Sequence, residues 1–190
     1  ASKRRSKVLG RAGDALVSQN QGAQAIALWQ KALLQDTGDG LLQKKVGEAL
    51  LREGRYEEAG TAYEKAIGED MVDAEVLLGA AEAATALGEK NRARRHVDQL
   101  LQQSMETGEM AYRLGKICRE LGDVEGSLRV FRQAVALSPE RGIYRAMMSR
   151  GLADTGNIVT AAEEADRAMG AAPSDMDVLG HAGIVLLQCD

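Results

Sequence analysis

The feature that most constrains this chain is a period of 34 residues that runs through nearly the whole sequence without an insertion or deletion. One register of the period holds Asn or Gly: Asn20, Gly54, Gly88, Gly122 and Gly156. Another holds small residues throughout: Gly13, Gly47, Ala81, Gly115, Ser149 and Gly183. A repeat of this length is one supersecondary unit that buries its apolar face only by stacking on its neighbours. The period therefore predicts a solenoid.

Five full repeats and part of a sixth fit this frame, and a short basic segment precedes them. The repeats are 6–39, 40–73, 74–107, 108–141 and 142–175, followed by the partial sixth repeat 176–190. Residues 1–5 are expected to be a basic N-terminal extension or linker. The basic residues near the N-terminus are followed by no apolar signal-peptide core. The sequence does not identify the compartment, and a cytoplasmic location is the working expectation.

The composition favours helices over strands. Aromatic residues make up 3% of the chain and there are only two prolines, whereas sheets draw on aromatic and β-branched residues. Each repeat should hold a first and a second helix, with the Gly54 register ending the first helix in a left-handed conformation. The small residues of the Gly13 register should let the two helices approach closely. The predicted first helices are 6–19, 40–53, 74–87, 108–121, 142–155 and 176–188, and the second helices are 22–35, 56–69, 90–103, 124–137 and 158–171.

The residues at these registers resemble those of the tetratricopeptide repeat (TPR) family, whose pattern is W-x2-L-G-x2-Y, then A-x3-F, then P. The fourth repeat matches best, with Ala111, Leu114, Gly115, Cys118, Ser127, Phe131 and Pro139. The third repeat departs from the pattern at Ala81, Ala84 and Val97, and the first three repeats lack the proline. The resemblance implies an all-α fold, a right-handed α-solenoid of antiparallel helix pairs.

Catalytic and cofactor motifs are absent from the sequence. It contains no phosphate-binding glycine loop, HExxH, CxxC or GxSxG, so no enzyme, cofactor or metal site is expected. The acidic pairs Glu57–Glu58 and Glu163–Glu164 are expected in the first turns of second helices, where they suit the helix dipole. Cys118 and Cys189 are expected to be buried free thiols.

The charge and the apolar runs exclude other classes of partner. A net charge of −4 argues against a generally basic nucleic-acid binder, and no apolar run is long enough for a membrane span. The known grip of chaperone-binding family members on a C-terminal carboxylate has no counterpart at the matching positions, Gly10, Asp14, Lys45, Glu75 and Gly79.

After these exclusions, the expected functional feature is a surface that binds a protein or a peptide. By resemblance, the first helices line a concave groove, and the candidate partner-binding residues are Lys44, Glu48, Leu51, Arg52, Leu78, Glu82, Tyr112, Lys116, Arg119 and Arg150. The fourth repeat carries six bases against five acids, so a partner segment with acidic residues is expected there.

Three functions stay open on these grounds. The leading one is a non-enzymatic protein-binding scaffold. The second is a self-assembling structural subunit, because the last predicted helix is apolar nearly all round and such a helix is normally buried on more than one side. The third is a regulatory or targeting region of a larger signalling, secretion or transferase protein.

Overall fold

The computed structural model describes residues 2–189, and that range contains eleven α-helices and no strand. All predicted helices are present, which confirms the all-α fold and the repeat frame. The helices are α1 (Ser2–Ser18), α2 (Gly22–Leu33), α3 (Gly40–Arg52), α4 (Tyr56–Gly68), α5 (Ala74–Ala86), α6 (Lys90–Leu100), α7 (Gly108–Glu120), α8 (Val124–Leu137), α9 (Gly142–Asp154), α10 (Ile158–Ala171) and α11 (Met176–Cys189).

Two boundaries differ most from the prediction. Helix α1 begins at Ser2, so residues 2–5, expected as an extension or linker, continue the first helix. Helix α6 ends at Leu100, three residues before the predicted end. The C-cap residue Leu101 is 47% exposed and is followed by the polar Gln102 and Gln103, so a further turn here gains little apolar burial.

The chain divides into two compact units. The N-terminal unit, Ala1–Gln102, holds α1 to α6, and the C-terminal unit, Gln103–Asp190, holds α7 to α11. Within each unit every helix packs on the next one along the chain, and consecutive helices form antiparallel pairs, the arrangement of an α-solenoid. Each unit has its own apolar core, in which the largest fully buried side chains are Tyr63 and Phe131.

Left-handed residues end the first helices, as predicted. Gly54 and Gly122 have φ of +73° and +84°, and Asn20 takes the same conformation with φ of +59°. At Gly54 the chain reverses so that the amide of Arg55 donates to the carbonyl of Leu50 over 2.9 Å, which satisfies a carbonyl at the helix end. The repeat pattern did not predict one further left-handed residue, Asp70, which follows α4 with φ of +59°.

Close packing within helix pairs explains the small residues. A Cβ atom at Gly13 would overlap the Trp29 ring, and one at Gly115 would lie 2.6 Å from the Phe131 ring. Each of these second helices therefore lays a large ring directly on the backbone of the first helix. The predicted role of these glycines is confirmed for these two pairs.

Capping side chains recur with the period, a feature that sequence reasoning missed. The side chains of Asp39, Asp73 and Thr107 accept from backbone amides three residues on, at 3.0, 2.8 and 3.2 Å, and so begin α3, α5 and α7. Asp175 does the same for α11 by accepting from Val178 over 3.2 Å. The signal available in the sequence was an Asp or Thr in the same register of the repeat, immediately before each of these first helices.

The prediction for the second acidic pair was wrong. Helix α10 begins at Ile158, so Glu163 and Glu164 lie beyond its first turn, whereas Glu57 and Glu58 do lie in the first turn of α4. The buried Glu164 accepts from Arg145 over 2.6 Å and also pairs with Arg167. Its carboxylate is therefore held by two guanidinium groups and not by a helix dipole.

Candidate partner-binding surfaces

The six candidate residues of the N-terminal unit lie on α3 and α5, and they differ in what they offer to a partner. Arg52 is exposed, and no carboxylate of the described residues lies within ion-pair distance of it. Glu48, Leu51 and Glu82 are half-buried, and Leu51 packs against the core.

Two of these candidates are less accessible than the sequence suggested. Leu78 is fully buried, so the expectation that it lines a groove is not met: α5 is apolar on nearly all sides and is covered on nearly all sides. The ammonium of Lys44 lies 2.7 Å from the carboxylate of Asp73, and the Lys44 side chain is only 17% exposed. Its charge is therefore already compensated.

The C-terminal unit gathers basic side chains on its first helices α7, α9 and α11. We call Lys116, Arg119, Arg150 and His181 the basic cluster. Arg119 forms an ion pair with Asp154 over 3.0 Å, and Arg150 donates to Nδ1 of His181 over 2.7 Å. Arg119 and Arg150 are thus held by neighbours instead of extending freely into solvent.

The cations of this cluster affect one another. Burial and the positive charge of Arg119 lower the pKa of Arg150, and burial together with the charge of Arg150 lowers the pKa of His181. The neutral imidazole of His181 accepts from Arg150 through Nδ1, since a guanidinium only donates. Adding a negative group here would relieve this mutual repulsion.

Donors in the basic cluster remain available. Nη1 of Arg119 is buried and has no hydrogen-bond partner within residues 2–189. Over the same part of the chain, neither Lys116 nor Arg150 forms an ion pair with a carboxylate. Lys116, Arg119, Glu120 and Met147 line a cleft of about 360 Å³. The cleft combines cationic walls with one carboxylate and one apolar side chain.

Aromatic side chains border the basic cluster. The rings of Tyr112 and Tyr144 stack with their centroids 5.0 Å apart, and the ammonium of Lys116 lies 5.6 Å from the centroid of the Tyr112 ring. The Tyr144 hydroxyl donates to Glu109 over 2.8 Å, and burial with this hydrogen bond raises the pKa of Tyr144 to about 12. Tyr112 therefore lies beside the Lys116 ammonium and stacks on a tyrosine that Glu109 holds in place.

Sequence reasoning found four members of this surface, Tyr112, Lys116, Arg119 and Arg150, but missed His181 and Tyr144. His181 follows Arg150 by 31 residues, and Tyr144 follows Glu109 by 35. Both spacings differ from the period by less than one helical turn, which places the two residues side by side on adjacent first helices. Spacings of this kind were the signal that could have found them.

Other features of the described residues bear on partners and chemistry. Cys118 is buried and forms no disulfide among the described residues, as predicted, whereas the side chain of Cys189 lies outside the described residues. Within residues 2–189 no group of three or more His, Cys, Asp or Glu could hold a metal ion. The same range has no helix of the length and apolar character that a bilayer span requires.

Comparison with known families identifies the repeat. Three sequence models described as Tetratricopeptide repeat match residues 11–74, 50–117 and 108–141, and together they span 11–141, more than half of the chain. This chain belongs to the tetratricopeptide repeat family. No curated protein matches it at a significant level.

Solved structures share the fold of this TPR chain at low sequence identity. YrrB, a TPR protein with an unusual peptide-binding site, is 20% identical with a TM-score of 0.76, and the match covers 90% of this chain and 89% of that one. MamA from Desulfovibrio magneticus RS-1 is 16% identical with a TM-score of 0.79, over 90% and 97% of the two chains. A thermophilic TPR protein from Thermus thermophilus is 18% identical with a TM-score of 0.67, over 96% and 99%. The TPR fold is typical of protein-interaction scaffolds, which are generally non-catalytic.

Proposed function

We propose that this chain is a non-enzymatic scaffold whose basic cluster binds an acidic segment of a partner protein. The partner's carboxylates would pair with Lys116 and Arg150, and its backbone or apolar side chains would contact Tyr112 and Met147. The TPR fold supports the scaffold, and the cluster supports the acidic character of the segment. The candidates Glu48, Leu51, Arg52 and Glu82 remain proposed contacts of the N-terminal unit.

The observation that carries this proposal is that within residues 2–189 Lys116 and Arg150 form no ion pair, although Asp154 and Glu120 lie near the cluster. Arg119 is matched by Asp154, but Arg150 bonds a neutral imidazole and Lys116 only lies over an aromatic ring. Arg150 is half-buried without a matching carboxylate, so it is stabilised when a partner supplies one, and the exposed Lys116 also attracts acidic groups. The buried Nη1 of Arg119 gains a partner by the same event.

The test is selection from a displayed random-peptide library, followed by affinity measurement on the variant Lys116→Glu/Arg150→Glu. The selected peptides should be enriched in Asp and Glu, and the double variant should bind them at least about tenfold more weakly. The loss should be smaller at high salt, because screening already weakens the wild-type interaction.

The matched control is Arg129→Glu/Arg132→Glu, which makes the same change of charge on exposed positions of α8 in the same unit. Circular dichroism verifies that both variants keep their helices. Selection of peptides without acidic enrichment, or equal losses in the two double variants, would overturn the proposal.

A second candidate function, self-association through α11, is favoured by one specific observation. Met176 and Leu187 of α11 are 78% and 80% exposed, although large apolar side chains usually lie inside a protein. A second copy of the chain would cover them. Sedimentation velocity measures this association, and the variant Leu187→Asp should abolish it.

A further inference from the structure

A deep valley lies on the N-terminal unit, away from the candidate partner-binding residues of the first helices. Its floor comes from one face of α3, its walls come from the second helices α2 and α4, and its volume is about 880 Å³. The floor residues Gln43, Val46 and Leu50 follow one another at helical spacing. A valley of this size accommodates several side chains of a ligand.

The next valley along the unit, between α4 and α6, is bridged by side chains. Glu64 on α4 accepts from Nε of Arg92 over 3.0 Å and lies 3.1 Å from Nε2 of His96, both on α6. One period earlier the corresponding residues are Gln30, Glu58 and Ala62. Ala62 has no polar side chain, and Glu58 is held by two hydrogen bonds from Arg55, so these positions form no bridge.

A difference in backbone packing also keeps the valley open. The ring of Tyr63 on α4 lies directly on α5, where a Cβ atom at Gly79 would overlap it. One period earlier the ring is Trp29 and the residue at the position of Gly79 is Lys45, which has a long side chain. That position cannot admit a ring in the same way, and Trp29 instead donates to the carbonyl of Gly10 over 3.1 Å.

Apolar and acidic side chains line the valley, and its floor residues Val46 and Leu50 are only 3% and 2% exposed. Leu34 on the α2 side is 79% exposed, a large apolar side chain with no cover. Glu57 and Glu69 line the α4 side, and neither forms an ion pair with another described residue. Lys65 is the one basic side chain among the residues that line this valley. A ligand that suits both properties carries apolar groups and positive charge.

We propose that this outer valley binds an amphipathic basic segment of a partner protein. The segment packs apolar side chains on Leu34, the exposed apolar side chain of the valley, and sets Lys or Arg beside Glu57 and Glu69. A helix with one apolar and one basic face matches this layout, since it lies between two helices on the surface of a third. The valley and the basic cluster thus select ligands of opposite charge.

The test uses a fluorescein-labelled peptide of Leu and Lys with Leu at helical spacing, titrated with the full chain and followed by fluorescence anisotropy. Leu34→Asp and Glu57→Lys each change an exposed residue of the valley, so the fold is retained. Each variant should weaken peptide binding by about tenfold. The Lys116→Glu/Arg150→Glu chain, which lacks the basic cluster's attraction for acidic peptides, should bind a peptide with Glu in place of Lys at least about tenfold more weakly than it binds the Leu–Lys peptide.

Matched controls distinguish binding of the peptide in the valley from a general electrostatic attraction of the basic peptide to an acidic protein. Leu101→Asp changes the C-cap of α6 as Leu34→Asp changes the C-cap of α2, and Glu125→Lys changes the first turn of α8 as Glu57→Lys changes that of α4. Both controls should bind the peptide like the wild type.

Three outcomes of the peptide titrations would overturn the proposal. They are control variants that lose as much affinity as the valley variants, valley variants that lose none, and a Lys116→Glu/Arg150→Glu chain that binds the Leu–Glu peptide as well as the Leu–Lys peptide. Sedimentation velocity of the chain without peptide tests the remaining possible occupant of the valley, a second copy of the chain. If Leu34→Asp abolishes a wild-type dimer, the valley holds a second copy and the proposal is wrong.

Discussion

At the scale of single residues, Gly115 and Gly183 occupy the same position of the repeat but have different surroundings. Phe131 of α8 lies on Gly115, so a Cβ atom there would be 2.6 Å from its ring. Gly183 on α11 has nothing within 4 Å of the position that its Cβ atom would take. The same register therefore carries a packing constraint only where a second helix covers it.

We predict that Gly115→Leu destabilises the chain by about 1 to 3 kcal/mol, because the added side chain must displace Phe131 or separate α7 from α8. Gly183→Leu is the matched control, and it should leave stability unchanged or raise it slightly, since Gly is the poorer helix former. Thermal and urea unfolding of the two variants measure the difference. Equal stabilities would show that the ring does not lie on Gly115.

The conformation and packing of a residue could be predicted from the sequence where its position in the 34-residue repeat determines them. The left-handed Gly54 register and the close approach of the second helix at Gly115 follow from the repeat alone. Asp70 stands outside any repeated pattern, and its left-handed conformation could not be predicted from spacing. The burial of Leu78 was missed because a family-based position says which helix face a residue occupies, but not how far its neighbours cover that face.

At the scale of helices, α5 and α11 show two outcomes for elements with similar composition. Both are apolar nearly all round, and α5 is covered so fully that Val76, Leu77 and Leu78 have no exposed surface. In α11 Val178 and Val185 are buried by the C-terminal unit, whereas other apolar side chains of α11 face outward: Met176, Ile184 and Leu187. The sequence predicted both helices but could not show which faces would be covered.

If a second copy covers α11, Leu187→Asp should convert an associated chain to a monomer. Val159→Asp is the matched control, because Val159 on α10 is 76% exposed and Leu187 is 80% exposed. Sedimentation velocity over a range of concentrations gives the mass of the wild type and both variants. A wild-type chain that stays monomeric at the highest concentration, or a control that dissociates equally, would contradict self-association through α11.

At the scale of the whole molecule, the net charge adds up all charged residues and so reveals neither of two local surfaces of opposite charge. The chain carries a net charge of −4, yet the C-terminal unit holds the basic cluster and the N-terminal unit holds the acidic outer valley. The sequence revealed the basic bias of the fourth repeat. It did not reveal the valley, because the valley depends on two absences: no side chains bridge α2 and α4 as Glu64, Arg92 and His96 bridge α4 and α6, and α3 has Lys45 where α5 has Gly79 under the Tyr63 ring.

Amide hydrogen exchange of the full chain, with and without a selected acidic peptide, decides whether an acidic partner segment binds the first helices of the C-terminal unit. We expect slower exchange on binding in α7, α9 and α11, next to Lys116, Arg119, Arg150 and His181. Helices α8 and α10 should show no change beyond that caused by a control peptide. Protection confined to α8 and α10, or to helices of the N-terminal unit, would contradict binding at the basic cluster.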